Sequence, residues 1–364
     1  MKRDIRTDGA RINRRGVLLV PAMVAAAASQ EQKKTGSSGA WLPKLSERMG
    51  SLDPSALRWL RQLGAQHVVW DAREPDAKGY FTAEEILSAK KTCQDADLAL
   101  EVMILPNTYQ LAMLGQPGRD EQIENVCRTI RAAGEAGVPT LGWVFWPDFY
   151  WDERVGYYPV KARGGATQRA FDYNRVKDSP PLPEFGVIPE QEMWDRLLYF
   201  ARPVVAAAEK ANVRLALHPC DPPVPVMRGV PRIIHNPEGY LRFFKEVTSP
   251  ANGMTFCQGT FTEMGTDVLA EIRRFGRMGK INLVHFRAVR GKIPQYTEVF
   301  LDEGDVNMIQ AMKTYKEVGY TGPIVSDHSP VVEGDRQGGY VGGRIGTSLA
   351  HGYMRAAVQA VNVL

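Results

Sequence analysis

A rhythm constrains this chain most. Short runs rich in Val, Ile and Leu alternate with longer stretches in which apolar residues recur at helical spacing. The runs fall at residues 42–46, 67–71, 99–105, 140–146, 214–218, 254–258, 282–286 and 323–327. Helical patterns between them cover residues 54–63, 83–96, 120–136, 191–212, 237–248, 266–277 and 306–318. Gly64, Gly137, Asn212 and Gly319 follow such helices, where a left-handed residue ends the helix and turns the chain toward the next strand. Strands separated by helices in this number favour an α/β fold closed into a (β/α)₈ TIM barrel over an open doubly wound sheet. Residues 147–189, rich in Pro, Gly and aromatics, read as an elaborated loop over the barrel mouth.

With 364 residues, 44% hydrophobic and 24% charged, the composition is that of a globular protein and excludes disorder, collagen and coiled coil. The formal charge of +4 is concentrated at the start, where Lys2, Arg3, Arg6, Arg11, Arg14 and Arg15 face only Asp4 and Asp8 before residue 29. The remaining chain is neutral. It therefore carries no basic footprint for nucleic acid, and a small-molecule partner is expected.

The leader runs from basic to apolar to polar, and its apolar stretch, residues 17–28, is too short to span a bilayer. Asn13-Arg14-Arg15-Gly16-Val17-Leu18-Leu19 resembles a twin-arginine export signal, and Ala26-Ala27-Ala28 resembles a signal-peptidase site. The expected organisation is an export signal over 1–28, a linker over 29–40 and a single TIM-barrel catalytic domain over 41–364. That places the protein in the periplasm or outside the cell; a cytoplasmic enzyme with a frayed leader is the alternative. No Cys follows the apolar run, so no lipid anchor is expected.

The last four strands each end in a residue able to bind a metal: His218, Cys257, His285 and Asp327. Their separations of 39, 28 and 42 positions are each about one βα unit, so all four should surface at the C-terminal mouth of the barrel. Two imidazoles, a thiolate and a carboxylate suit a divalent ion such as Mn²⁺, Fe²⁺, Co²⁺ or Zn²⁺. The rival for Cys257 is a disulfide with Cys220, open to an exported protein. Asp221 is expected to orient His218 through its second ring nitrogen.

Five segments also fall into a familiar order: His218-Pro219-Cys220-Asp221-Pro222-Pro223, Gly229-Val230-Pro231-Arg232-Ile233, Phe256-Cys257-Gln258-Gly259, His285-Phe286-Arg287 and Asp327-His328. Together they resemble the mannonate dehydratase family. The resemblance implies a metal-dependent TIM barrel that removes water from D-mannonate to give 2-dehydro-3-deoxy-D-gluconate, usually with Mn²⁺. It places the ligands on the same His218, Cys257, His285 and Asp327, and proton transfer on His328 and on Tyr340 in Gly339-Tyr340-Val341-Gly342. The sequence departs from the family at Cys220, where Asp is usual, and at Ala288, where Asn commonly follows. Glu298-Val299-Phe300-Leu301-Asp302 stands where the family has Glu-Ser-x-His.

Dehydration of a sugar acid requires a base for the proton beside the carboxylate, an acid for the departing hydroxyl, and a cation that stabilises the enediolate-like charge. His328 and Tyr340 fit the proton roles, and Arg232 or Arg287 could clamp the carboxylate. The aromatics of residues 143–158 could stack on a sugar face or simply cover the mouth. The leading reading is thus a hydro-lyase of carbohydrate metabolism acting on a sugar acid, compatible with a homo-oligomer. The altered segment at 298–302 keeps two alternatives open: a metal-dependent sugar isomerase or epimerase, and a non-catalytic periplasmic sugar-binding protein.

Overall fold

A computed structural model describes residues 40–73, 75–147, 151–335 and 343–363. The leader, the linker up to residue 39 and Tyr340 lie outside the described residues.

Parallel strands close into a barrel. The first strand is split into Lys44–Ser46 and Arg48–Met49; the others are His67–Asp71, Ala99–Ile104, Thr140–Trp143, Arg214–Leu217, Asn252–Cys257, Ile281–His285 and Pro323–Val325. Each pairs with its sequence neighbours, and closure comes through the split strand: Lys44–Ser46 pairs with the eighth strand while Arg48–Met49 pairs with the second. The helices between them start where the sequence says they should. Asp53 caps Pro54–Gln62 by accepting from the amides of Ser55 and Ala56, and Thr82 and Glu85 form a reciprocal capping box on Ala83–Gln94. Gly64, Gly137, Asn212 and Gly319 all take positive φ, as their positions after helices require.

Strand alternation sets the interior. Val69, Val102, Ala216, Leu283 and Val325 form a small apolar cluster, the barrel floor, with Ile104 packed on it. Two residues further along a strand, a side chain points the same way but sits nearer the mouth. Asp71, Ile104, His218, His285 and Asp327 occupy that upper level, and Cys257 joins it from the sixth strand, opposite His285 in the ladder.

The stretch at 147–189 is more than a loop. Its Tyr157–Lys161 and Thr167–Asp172 join Gln295–Val299 and Ala288–Lys292 in a four-stranded antiparallel sheet, a cap separate from the barrel. Its own core stacks Phe171 on Tyr296 at 5.1 Å between ring centroids, with Tyr157 beside them at 5.2 Å from Phe171. Helices Gln258–Glu263 and Arg344–Val363 also go beyond the sequence reading. No described helix is long and apolar enough to cross a membrane.

Candidate active site and metal centre

The four strand-end residues meet. One donor atom from each of His218, Cys257, His285 and Asp327 lies within 4.8 Å of the others, Cys257, His285 and Asp327 being buried and His218 partly so. All four cysteines are free thiols, so the rival pairing of Cys220 with Cys257 is not formed.

His218, Cys257 and Asp327 are each shifted in the direction a cation needs. Burial holds His218 below the usual imidazole range and therefore neutral. Its Nδ1 lies 2.7 Å from the Pro219 carbonyl, which fixes the N–H there and leaves Nε2 as the donor. Burial would push the Cys257 thiol up, but the Arg287 guanidinium and the His285 imidazole outweigh it and bring the thiol below its ordinary value. Asp327, likewise buried, is held well below the carboxylate range by His285, His328 and Arg48. Neither ring nitrogen of His285 makes a hydrogen bond, although Nδ1 lies 3.3 Å from Asp327 Oδ2. Buried polar atoms are nearly always partnered. An unsatisfied imidazole inside a cluster of anionic donors fits a divalent cation, and these residues form a possible metal site.

Beside the cluster lies a chamber of about 240 Å³, lined by the polar Arg48, His218, His285, Asp327 and His328 and by the apolar Ile104, Val144, Trp146 and Trp151. His328 and Trp151 also line an outer vestibule of about 690 Å³. His328 therefore stands where the two spaces meet. Its Nδ1 is 2.9 Å from Glu298 Oε1 and 2.8 Å from an Arg169 guanidinium nitrogen. Burial would raise the Glu298 carboxyl, but Arg169, His328 and Arg287 outweigh it, and the group is held well below its ordinary value. Arg169 also lies against the neighbouring Trp151 and Tyr157 rings, each centroid 4.6 Å from its guanidinium carbon.

Three expectations need correction. Asp221 does not hold His218; that partner is the Pro219 carbonyl. Asp221 instead accepts from Tyr157 at 2.7 Å and Tyr296 at 3.3 Å and pairs with Arg287 at 3.0 Å, tying the cap sheet to the barrel. Arg287 is no substrate clamp, because it is fully buried and engaged by Asp221, Glu263, Glu298 and Asp327. Arg232 is equally buried, reaches the Asp221 carbonyl at 3.4 Å and faces the Trp146 ring rather than the chamber. Of the aromatics, Trp143, Trp146 and Trp151 line the chamber, and the Trp143 ring also packs against Phe200 and Phe243.

Two residues that the sequence did not single out bear on the site. Arg48 donates to Asp327 Oδ1 at 2.8 Å and pairs with Asp71 at 3.0 Å; Arg169 donates to Glu298 Oε1 at 2.6 Å. A cation at a barrel-strand end was the one available signal for Arg48.

A closed parallel barrel whose C-terminal strand ends carry a donor cluster, a chamber and a histidine at its exit defines a TIM-barrel enzyme with its active site at that mouth. The family follows from likeness to known proteins. The family model for D-mannonate dehydratase (UxuA) matches residues 44–182 and 180–363, and the chain belongs to that family. It is 30% identical to the mannonate dehydratase of Thermotoga maritima over 319 residues, covering 78% of this chain and 88% of that protein. It is 27% identical to mannonate dehydratase 2 of Halalkalibacterium halodurans over 314 residues, covering 79% and 90%. A solved mannonate dehydratase from Streptococcus suis serotype 2 superposes with a TM-score of 0.79 at 28% identity, covering 88% of this chain and 94% of that one. An L-ribulose 3-epimerase shares the barrel alone, with a TM-score of 0.55 at 14% identity.

Proposed function

We propose that this enzyme is a metal-dependent hydro-lyase that converts D-mannonate, or an aldonic acid closely like it, into the 2-keto-3-deoxy acid. The observation that carries the reading is the four-donor cluster beside a chamber whose exit is His328. His218, Cys257, His285 and Asp327 would hold the ion, for which Mn²⁺ is the first choice and Fe²⁺ and Co²⁺ the next. Bound there, it supplies the positive charge that an enediolate-like carboxylate needs.

The rest falls to the chain. Glu298 fixes His328 through Nδ1, which leaves Nε2 to take the proton beside the substrate carboxylate. Arg169 and Arg287 keep Glu298 charged, so the histidine retains an anionic partner as it becomes a cation. Tyr340, outside the described residues, is the proposed donor to the departing hydroxyl. Trp146, Val144 and Ile104 exclude water from the apolar part of the chamber lining.

The test is direct. Protein loaded with Mn²⁺ should turn D-mannonate into a 2-keto-3-deoxy acid lighter by one water, and failure across a panel of aldonates removes the reading. One observation favours a second, an isomerase or epimerase of neutral sugars. Among the chamber's described lining residues the arginine is Arg48, and it is already paired with Asp71 and Asp327. Product of unchanged mass would identify that reaction.

We also propose export through the twin-arginine-like leader. Its support is the basic-to-apolar order of residues 1–28, and N-terminal sequencing of extracytoplasmic protein checks it.

A further inference from the structure

The first barrel strand breaks at Glu47, a residue just 2% exposed. On one side of the break Ser46 still pairs with Val325; on the other Arg48 pairs with Val69, and the Glu47 carbonyl accepts from the Val69 amide at 3.2 Å. Where the backbone ladder to the eighth strand stops, the Glu47 side chain continues it. Oε2 accepts from the Ser326 amide at 3.2 Å and from the Ser326 hydroxyl at 2.6 Å. Oε1 lies 3.0 Å from Nδ1 of His351 in helix Arg344–Val363, and both Ser326 and His351 are fully buried.

The next residue is Asp327, and its φ is +61°, a left-handed conformation that non-glycine residues adopt uncommonly. Such a conformation persists when its surroundings over-determine it. Here two neighbours do so from opposite sides: Glu47 grips the backbone before the bend, and Arg48 binds the Asp327 carboxylate after it. At this φ the backbone leaves the extended path of the strand while the Asp327 carboxylate stays 3.3 Å from His285 Nδ1.

We propose that Glu47 is a positioning residue for the metal site: by anchoring Ser326 to helix Arg344–Val363 it holds Asp327 in the left-handed turn that aims its carboxylate at the donor cluster. Glu47 touches neither the ion nor the substrate. The inference rests on the metal reading above, and its test separates the two.

Apo protein is titrated with Mn²⁺ alone, free ion being read by electron paramagnetic resonance, beside the thermal midpoint of the apo form. Glu47→Leu, which removes both acceptors, should weaken Mn²⁺ about 10- to 100-fold, the range for losing a partner that orients a ligand. Glu47→Gln keeps one acceptor for Ser326 and should recover most of the affinity. Ser326→Ala loses the hydroxyl contact alone and should fall between them, which keeps the test open if Glu47→Leu does not fold. Leu60→Ala, a core variant remote from the cluster, should lower the midpoint without changing affinity.

Wild-type affinity in both Glu47→Leu and Ser326→Ala would overturn the proposal and leave Glu47 a structural bond. If the wild type binds no Mn²⁺, the metal reading falls. The positioning claim is then decided by a crystal structure of Ser326→Ala or Glu47→Leu: an Asp327 φ turned negative supports it, and an unchanged one overturns it.

Discussion

The two halves of the barrel mouth are built from the same strand alternation and do opposite things. Strands six and seven end in Cys257 and His285, and His218 and Asp327 follow just past strands five and eight; strands three and four bring Ile104 and Val144 to the chamber, with Trp146 beyond them. The donor half is fastened from outside by further charges, Arg287 beneath it and Arg48 beside it. The apolar half is fastened chiefly through its backbone, the Tyr109 hydroxyl bridging the amide and carbonyl of Val144. Chemistry therefore resides where positions are over-determined, and the other half is left to shape the substrate.

The most damaging way to break this contrast is to remove a donor. His285→Ala should abolish turnover and cost more Mn²⁺ affinity than the roughly 100-fold that loss of an orienting partner costs; metal analysis beside an activity assay checks both. Retained metal would mean that the half is structural. Next comes His328→Asn, which should lower kcat about 10²- to 10⁴-fold, the usual span for a proton-transfer group, with metal content unchanged. Parallel loss of metal and activity would instead make His328 a ligand.

The donor half was legible because ligand-type residues sat at strand ends one βα unit apart, and a strand end fixes where a side chain emerges. The barrel was legible for the same reason. The strand expected at 254–258 ends one residue earlier in the structure, and Cys257 still faces His285 across the ladder. The cap sheet was hidden because its pairings, such as Gln295 with Asp172, join segments with three barrel strands between them, and Pro159 blurs the strand pattern. Arg287 was misjudged because nothing local announces that Asp221, Glu263, Glu298 and Asp327 will converge on it. Asp221 was misassigned because its tyrosine partners, Tyr157 and Tyr296, belong to that hidden sheet.

The apolar half can be sharpened with a smaller change. Ile104→Val removes one methylene from the chamber wall and should cost about 0.5–1.5 kcal/mol of stability. Its signature is a change in the ratio of kcat/KM between stereoisomeric aldonates, on the order of tenfold, because a single methylene discriminates by about that much. Metal content should stay at the wild-type level. An unchanged ratio would show that substrate does not touch this wall, and shape recognition would have to move to the vestibule side of Trp151.

The smallest effect concerns what lies under the donors. Glu263 is fully buried, and neither carboxyl oxygen makes a hydrogen bond, although one lies 3.1 Å from Arg287. Burial pushes its carboxyl well above the ordinary range, Asp221, Cys257 and Glu298 push the same way, and Arg287 offsets only part of the rise. Glu263 is thus the acid of this cluster held above its ordinary range while Asp221 and Glu298 are held below theirs. A group whose pKa is raised by folding contributes stability that is full below its unfolded value and is lost as pH rises through the folded one. The contribution of Glu263 to stability should therefore decline as pH rises above the ordinary glutamic acid range. Glu263→Gln, a neutral amide of the same shape, should remove that slope, so its thermal midpoint gains on the wild type as pH rises. The gain expected is a few °C, since 1 kcal/mol moves a domain approaching this size by roughly 2–4 °C. A midpoint difference that stays flat with pH would mean that Glu263 is ionised at rest, and the donor half would then carry one more negative charge than this geometry assigns it.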